Sequence, residues 1–418
     1  MTPRLRRLLA AAACAGAVFA CSRHADAPMQ AMAPDGGGTD AREAMLGAFL
    51  AAFWQLPIAP QGPPPAGFSE AETSLDPVVC GACHPAQQRE WRTSLHAGAF
   101  SPGLAGQLVE GSLSAPRELR HCQTCHAPLA EQQPLLASGE PEPGFDPALR
   151  EQGIVCAACH VRAHRRFGPP RRPELPPAPA PLPHRGFEVR AEFSQARFCA
   201  TCHQFFAPDG PGGKPVQNTF VEWRDSAHAA EGRTCQSCHM PDRAHTWRGI
   251  HDPPTVRAAI AVELSEVVAV GDRLRASLRV ANHGVGHAFP TYVTPRVFAA
   301  AWQVDATGVE LAGTRSQAVI GREIDFDASP ARERFDTRVM PGESFELAYD
   351  AARHPRAQAL RGRVTVDPGH HYRDVYRDLL ATLGDPEALA HIREALRREE
   401  QSAYVLAEVE VQARAGVD

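Results

Sequence analysis

Five copies of one short motif constrain the fold of this chain more than any other feature. The pattern Cys-x-x-Cys-His recurs between residues 80 and 239. Two thiols at this spacing can both form thioether bonds to the edge of one porphyrin, and the adjacent histidine can ligate its iron. The pattern therefore predicts five covalently attached c-type haems. The predicted attachment residues are Cys80, Cys83, Cys122, Cys125, Cys156, Cys159, Cys199, Cys202, Cys235 and Cys238, and the predicted proximal ligands are His84, His126, His160, His203 and His239.

Zinc binding and a thioredoxin-like redox pair are the alternative interpretations of Cys-x-x-Cys. Zinc sites combine such motifs in pairs, and five motifs leave one unmatched. A redox pair normally occurs once, early in a βαβ unit. The chain has 19 histidines among 418 residues, so a histidine after all five motifs has odds of roughly 10⁻⁷ by chance. Covalent haem is therefore the favoured interpretation. Because the motifs use every cysteine after the leader, we expect no disulfides.

The N-terminus has the pattern of an export signal. Three arginines within the first seven residues precede an apolar stretch at residues 8–20, which is short for a membrane span. Residues 1–20 are therefore predicted to be a signal peptide. The following Cys21 completes a sequence that resembles a bacterial lipobox, with ordinary cleavage nearby as the alternative. We expect an exported protein of the periplasm or outer membrane of a Gram-negative bacterium, anchored to the membrane by a lipid at Cys21.

Composition and pattern divide the mature chain into three parts. Residues 21–73 are predicted to be a tether with one amphipathic helix at 41–55, residues 74–254 a pentahaem domain, and residues 255–418 a β-domain. Consecutive motifs begin 42, 34, 43 and 36 residues apart. A segment of about 40 residues cannot enclose a porphyrin in an apolar core of its own. We therefore expect the haems to pack against one another, held by short helices and long loops.

From about residue 255 onward, short runs of alternating apolar residues replace the haem motifs. Such runs, separated by Gly, Asp and Asn turns, predict an antiparallel β-sandwich. Residues 374–400 have the pattern of a charged amphipathic helix inserted over one end of the sandwich. The predicted fold class is α+β: a mainly helical and loop pentahaem domain followed by an antiparallel β-sandwich with a helical insertion. The predicted strands are residues 258–268, 273–280, 296–304, 344–349, 361–366 and 403–411.

An eight-residue segment occurs twice in the haem region. Its pattern is Glu-Trp-Arg-x-Ser-x-His-Ala, at residues 90–97 and again at 222–229. In a helix the tryptophan and serine share a face, and the histidine follows five positions after the tryptophan. We expect the indole to pack on a porphyrin while His96 and His228 act as distal iron ligands. A capping or surface role for both histidines is the alternative.

Further histidines are candidates for the remaining distal positions. In the segment after the fifth motif we favour His251 over His245. His287 lies in a glycine-flanked loop of the β-domain, where the backbone can approach a flat ring closely, although it could instead fix the turn. His121 and His164 flank the second and third motifs and either ligate iron or hydrogen-bond a propionate. Weaker candidates are His184, His370 and His371.

In these motifs the chain resembles the multihaem family of cytochrome c-554 and the haem domains of hydroxylamine oxidoreductase. The resemblance covers about residues 75–252 and rests on the haem motifs, the Trp-x-x-Ser-x-His-Ala segments and the ending Cys-His-Met-Pro at 238–241. The segment around His287 also resembles β-domains fused behind multihaem cytochromes. The resemblance implies close-packed haem pairs with mostly bis-histidine iron. The best-known member carries one haem fewer than this chain has motifs.

These patterns favour an electron carrier over an enzyme. Bis-histidine iron has no vacant position for a substrate, and no acid–base or nucleophile motif lies beside the haem motifs. The expected partners are redox proteins, and the formal net charge of −5 argues against nucleic acid. The alternative is a reductase or oxidase of a small nitrogen or sulfur compound at one five-coordinate haem. A third interpretation is an assembly protein that docks through its β-domain.

Overall fold

The computed structural model describes residues 44–114, 116–135, 139–174, 182–205, 210–325, 328 and 330–413. The predicted signal peptide, Cys21 and the tether up to residue 43 lie outside the described residues. Among the helices of these ranges, none is both long enough and apolar enough to cross a lipid bilayer.

Each haem motif lies on or beside a short helix, so one helical turn carries both cysteines and the histidine. Motif 1 runs from the end of Pro77–Gly81 up to the start of Pro85–Arg92. Motifs 2 to 5 lie, in that order, on the helices Pro116–His126, Cys156–His160, Arg197–His203 and Cys235–His239. The other helices before residue 258 are Ala48–Phe53, Glu70–Thr73, Pro102–Ser114, Pro147–Glu151, Thr219–Arg224, Ala227–Ala230 and Pro253–Arg257, with 3₁₀ turns at Ala130–Gln132, Pro183–Arg185, Ala191–Ser194, Pro211–Gly213 and Pro241–Arg243. Three short strands, β1 (Val161–Arg162), β2 (Arg165–Gly168) and β3 (Glu188–Val189), lie between motifs 3 and 4.

Local chemistry sets where several of these helices begin. Asp76, Asp146 and Asp252 each precede a proline at the first helical position and accept a hydrogen bond from a backbone N–H of the first turn. This combination satisfies an otherwise unpaired donor and presets the helical φ angle. Short helices can therefore start at defined positions without a long apolar face.

The amphipathic helix predicted at residues 41–55 is observed as helical residues 44–46 and, after Gly47, the helix Ala48–Phe53, while residues 41–43 lie outside the described ranges. Its Leu50 and Phe53 are buried in an apolar core shared with residues of the haem region such as Leu129. The guanidinium of Arg162 lies 3.8 Å from the centre of the Phe53 ring, a favourable cation–π contact. This segment therefore packs against the haem region.

The C-terminal part is an antiparallel β-sandwich, which confirms the predicted α+β fold class. One sheet has the strand order β11-β6-β4 with β5 also paired to β6, the other has the order β13-β12-β7-β8, and β9 and β10 form a separate hairpin. The strands are β4 (Ile260–Leu264), β5 (Val268–Val270), β6 (Arg273–Asn282), β7 (Arg296–Val304), β8 (Ser316–Ile320), β9 (Arg322–Asp325), β10 (Arg332–Asp336), β11 (Ser344–Ala352), β12 (Ala359–Asp367) and β13 (Tyr404–Gln412).

The apolar residues between the two sheets explain why most of these strands were predictable. Leu274 and Leu278 of β6 face Leu360 and Val364 of β12, and all four are fully buried. Such alternation is the period-2 signal of a half-buried strand. The β9–β10 hairpin was not predicted, because ion pairs rather than apolar alternation line it; Arg334, for example, pairs with both Glu323 and Asp325.

The predicted helical insertion is two helices, His370–Thr382 and Pro386–Glu400. The chain breaks between them because Asp385 caps the second helix, accepting hydrogen bonds from the N–H groups of Glu387 and Ala388. The helical insertion predicted over residues 374–400 is therefore a helical hairpin that begins at His370.

The second helix of the hairpin contacts Pro102–Ser114 of the haem region. The two backbones approach closely at Gly106, where an added Cβ would lie 2.8 Å from the Ile392 side chain and 3.0 Å from the Ala388 carbonyl oxygen. The insertion therefore joins the β-domain to the haem region. The sequence predicted only that it would lie over one end of the sandwich.

The substitution Gly106→Leu tests this contact. A leucine cannot fit without displacing the backbone at Ala388, so we expect a loss of about 1–3 kcal/mol in the free energy of unfolding, measured as a lower Tm. Gly384→Ala is the matched control on the same hairpin, because an added Cβ there meets no atom within 4 Å. Equal melting curves for the two variants would contradict the contact.

Candidate haem-binding centre

Three of the five motif histidines each face a second histidine at one and the same ring-to-ring distance. The pairs, each with centroids 6.3 Å apart, are His160 with His245, His203 with His96, and His239 with His287. A metal ion bound between two imidazoles holds their centroids roughly 6 Å apart, because each metal–nitrogen bond is about 2 Å long and each ring centre lies about 1 Å beyond its nitrogen. The residues present therefore fit one iron between the rings of each pair.

Hydrogen bonds fix the tautomer of four histidines in this region. Three of them, His160, His239 and His287, belong to the pairs, and the fourth, His126, is the histidine of motif 2. The distances between Nδ1 and a backbone carbonyl oxygen are 2.7 Å for His126 and Ala99, 2.8 Å for His160 and Phe167, 2.7 Å for His239 and Arg248, and 3.0 Å for His287 and Ala288. A carbonyl oxygen only accepts, so Nδ1 carries the proton and Nε2 keeps a free lone pair. A ligating histidine is commonly oriented in this way.

Removal from water favours the neutral, iron-binding form of four of the paired rings, those of His96, His160, His203 and His287. Removal from water lowers the pKa of His160, His203 and His287 to about 4, and that of His96 to about 3. The neighbouring histidines lower these pKa values further, because two imidazolium charges would repel each other. At neutral pH each ring is therefore unprotonated at one nitrogen, as metal ligation requires.

The cysteine thiols show which motifs are neighbours. Hydrogen bonding between thiols lowers the pKa of Cys80 and raises that of its partner Cys156, so motifs 1 and 3 lie together. In the same way Cys125 of motif 2 pairs with Cys202, and Cys235 of motif 5 pairs with Cys199. Motif 4, which carries both Cys199 and Cys202, therefore contacts motifs 2 and 5. All ten motif cysteines are free thiols.

Motif 3 lies close to motif 4 as well. The nearby Cys159 contributes to the raised pKa of both Cys199 and Cys202. The five motifs thus form one continuous array, in which motif 1 adjoins motif 3, motif 3 adjoins motif 4, and motif 4 adjoins motifs 2 and 5.

The other predicted distal ligands, His228, His121 and His251, differ in their burial and in their contacts. Both ring nitrogens of His228 are buried without a hydrogen-bond partner, and its side chain packs on Gly286, next to His287. His121 is half-buried just before motif 2, and His251 is exposed in a turn. Neither of these two makes a ring contact with a motif histidine within the described residues. Their ligand roles stay predictions, as does the preference for His251 over His245, although it is His245 whose ring centroid lies 6.3 Å from that of a motif histidine, His160.

His164 makes a hydrogen bond within the protein, and its predicted role as an iron ligand or propionate partner stays a prediction. Its Nε2 lies 3.0 Å from the carbonyl oxygen of Gly62, and it lines a cavity of about 360 Å³ together with Glu131 and Glu142. His184, a weaker candidate, lies near His84. The pKa of His84 is lowered mainly by the burial of His84 itself and further by the charge of His184. The Nδ1 of His184 is 2.8 Å from the Gly186 carbonyl oxygen, so its Nε2 is free.

The repeated tryptophans hold the chain just before two haem motifs. The indole N–H of Trp91 donates to the carbonyl oxygen of Ile154 at 2.8 Å, and that of Trp223 donates to Arg233 at 2.9 Å. Ile154 and Arg233 each lie two residues before the first cysteine of a motif, 3 and 5 respectively. The sequence predicted that these indoles pack on porphyrins; the structure adds a hydrogen bond that fixes the motif.

A functional residue that sequence reasoning missed is Trp247. Its ring lies 4.5 Å from that of His96 and 5.2 Å from that of His245, measured between centroids. It therefore separates the candidate distal ligands of motifs 4 and 3. Its closeness to His245 and His251 in the chain was the one available signal.

Two comparisons with known proteins agree with this geometry. Residues 79–161 match the family described as cytochrome c554 and c-prime. The fold is similar to that of a penta-heme cytochrome c552 from Thermochromatium tepidum, with a TM-score of 0.59 and 19% identity, covering 82% of this chain and 100% of that chain. The resemblance to multihaem c-type cytochromes is confirmed. No protein of curated function matches the sequence significantly.

The family match covers residues 79–161, which contain motifs 1 to 3, and supports haem c as the cofactor and electron transfer as the general function. Cytochromes of this type typically work in the periplasm, because haem c is attached after export. The general expectations of cofactor, activity and compartment therefore agree with the matches.

The two repeated tryptophans give a ranked prediction. Trp91 is 6% exposed, whereas Trp223 is half-buried, so Trp91→Phe leaves a more deeply buried carbonyl unpaired. We expect Trp91→Phe to cost about 1–3 kcal/mol of unfolding free energy and Trp223→Phe less. Chemical denaturation of the two haem-loaded variants measures both costs. The reverse ranking would contradict the proposed role of burial.

Proposed function

We propose that this protein is an exported pentahaem c-type cytochrome that relays electrons through stacked, mostly bis-histidine haems. The observation that carries the proposal is the set of three imidazole pairs with centroids 6.3 Å apart. When bound, haem iron alternates between its ferrous and ferric states and so carries one electron at a time. With both axial positions filled by protein, such an iron exchanges electrons without binding a substrate.

The proposed ligand sets of motifs 1, 3, 4 and 5 follow from the histidines that lie near each motif. His245, His96 and His287 are proposed as the distal ligands of motifs 3, 4 and 5. For motif 1 we propose His184, which influences the pKa of His84. For motif 2, where no described imidazole makes a ring contact with His126, we propose His228 by elimination, because its two ring nitrogens are buried and lack partners.

The contacts between motif cysteines support a relay rather than five isolated centres. Thiol contacts join motif 1 to motif 3 and motif 4 to motifs 2 and 5. Thioether-linked porphyrin edges at these cysteines would therefore lie close together. A branched order results, with motif 4 at the branch.

Export, a lipid anchor, redox partners and a role for the β-domain are also part of the proposal. The basic and apolar N-terminus supports export, and Cys21 is the proposed site of a lipid anchor in the outer membrane. Redox proteins are the proposed partners, since electrons must enter and leave the array. The β-domain is proposed to support the array by supplying His287.

The substitution His96→Gly tests the ligand assignment. In the haem-loaded protein we expect five haems per chain by intact mass and a loss of low-spin electron paramagnetic resonance signal equivalent to one haem. His391→Ala, on the helix Pro386–Glu400, is the control and should leave the spectrum unchanged. An unchanged low-spin signal in His96→Gly would contradict the assignment, and a mass without five haems would contradict the pentahaem proposal.

Motif 2 supports a second candidate function, reduction or oxidation of a small nitrogen or sulfur compound at a five-coordinate haem. Among the described residues, His126 has no second imidazole at the 6.3 Å spacing of the three pairs. A vacant axial position there could bind a small ligand.

His228→Gly distinguishes the two functions. If His228 ligates the haem of motif 2, the wild-type protein is entirely low-spin and the variant gains one high-spin haem that binds cyanide. If that haem is open, the wild-type protein already has the high-spin signal, and the variant leaves it unchanged. Optical titration with cyanide and electron paramagnetic resonance measure both outcomes.

A further inference from the structure

The glutamates that begin the two repeated segments make equivalent contacts. Oε2 of Glu90 accepts a hydrogen bond from the backbone N–H of His245 at 2.8 Å. Oε2 of Glu222 accepts one from the backbone N–H of Ala288 at 3.0 Å. Ala288 directly follows His287. Each glutamate therefore holds the short stretch of backbone that carries a candidate distal ligand.

The tryptophan beside each glutamate holds the opposite side of the same site. Trp91 binds the chain just before motif 3, and the proximal histidine of motif 3 faces His245. Trp223 binds the chain just before motif 5, and its proximal histidine faces His287. One Glu-Trp pair thus contacts both the proximal and the distal side of one candidate haem.

We propose that Glu90 and Glu222 are positioning residues for the distal ligands His245 and His287 of the haems at motifs 3 and 5. The proposal rests on the proposed haem ligation and goes further, because it assigns the repeated glutamate a role separate from that of the repeated histidine. The repeated segment then has two separate roles. Its histidine faces one motif, as His96 faces motif 4, while its Glu-Trp pair assembles another.

The two glutamates work in different surroundings. Glu222 is buried, and its other oxygen, Oε1, lies 3.1 Å from a guanidinium nitrogen of Arg338, which also pairs with Asp336 at 2.8 Å. The β-domain therefore supplies both the ligand loop and the arginine that fixes the carboxylate. Glu90 is partly exposed, and its Oε2 lies 3.9 Å from Nδ1 of His245, too far for a hydrogen bond.

A positioning role differs from a purely structural one in what it changes. If the glutamate only stabilises the fold, its loss lowers Tm and leaves the iron environment unchanged. If it positions a distal imidazole, its loss alters the spin state or the g-values of one haem while haem content is preserved. Glutamine keeps a carbonyl oxygen that can accept the same backbone hydrogen bond, so it should rescue the alanine variant.

The experiment compares haem-loaded Glu90→Ala, Glu90→Gln and wild-type protein by electron paramagnetic resonance and by redox titration. We expect the spectrum of Glu90→Ala to change for one haem out of five, either by loss of its low-spin signal or by a shift of its g-values. We expect Glu90→Gln to have the wild-type spectrum. Glu222→Ala and Glu222→Gln repeat the test at motif 5. Because Glu222 is buried and its alanine variant could fail to fold, the Glu90 variants carry the test alone in that case. Asp225→Ala is the control, since Asp225 is exposed at a variable position of the second repeat.

Two further variants separate this proposal from the proposed ligation. His245→Gly and His287→Gly should each convert one haem to the high-spin state. If they do, and Glu90→Ala matches the wild-type spectrum, the positioning role is overturned while the ligation stands. If neither histidine variant changes the spectrum, the ligand assignment at motifs 3 and 5 is overturned, and the positioning role with it.

Discussion

The haem region depends on pairs of imidazole rings held at a distance that a metal ion can bridge, with ring centroids 6.3 Å apart in each pair. Each ring is costly to bury unless its polar nitrogens have partners. The backbone carbonyl oxygens of Phe167, Arg248 and Ala288 accept hydrogen bonds from Nδ1 and satisfy one nitrogen of a ring. The other nitrogen, Nε2, then keeps a free lone pair. Short helices are sufficient because their task is to aim side chains rather than to build an extensive apolar core.

The β-domain takes part in this arrangement through one loop at the end of β6. The side-chain amide of Asn282 donates to the carbonyl oxygens of His287 and Val339, and Ala288 is fully buried. The loop is therefore anchored to the rigid sandwich on one side and to Glu222 on the other. Together with the contact between the helical hairpin and Pro102–Ser114, this loop fixes the sandwich to the haem region at two separate places.

Local patterns in the sequence were sufficient for some of these features and insufficient for others. Spacing and alternation predicted the motif helices and the sandwich, the repeated octapeptide made His96 a candidate ligand, and a glycine-flanked loop that resembles those of fused β-domains made His287 another. The contact of His245 with His160 depends instead on the path of the chain. Asp242 and Arg243 both adopt positive φ angles after motif 5, and the N–H of His245 binds a glutamate 155 residues away. No local pattern distinguishes His245 from His251, because the difference arises only when distant segments meet. The break of the helical insertion near Gly384 was missed for another reason, since charged helix-forming residues continue on both sides of it.

Trp247 shows why the aromatic residues of this region cannot be treated as simple filling. Its φ angle of 41° lies in the left-handed region, which is unfavourable for a bulky side chain. The conformation places the indole between two imidazoles, 4.5 Å from the ring of His96 and at nearly a right angle to that of His245. A smaller side chain would leave a gap on one face of each candidate ligand, and packed interiors tolerate such gaps poorly. One ring therefore contacts the candidate distal ligands of two neighbouring motifs, 3 and 4.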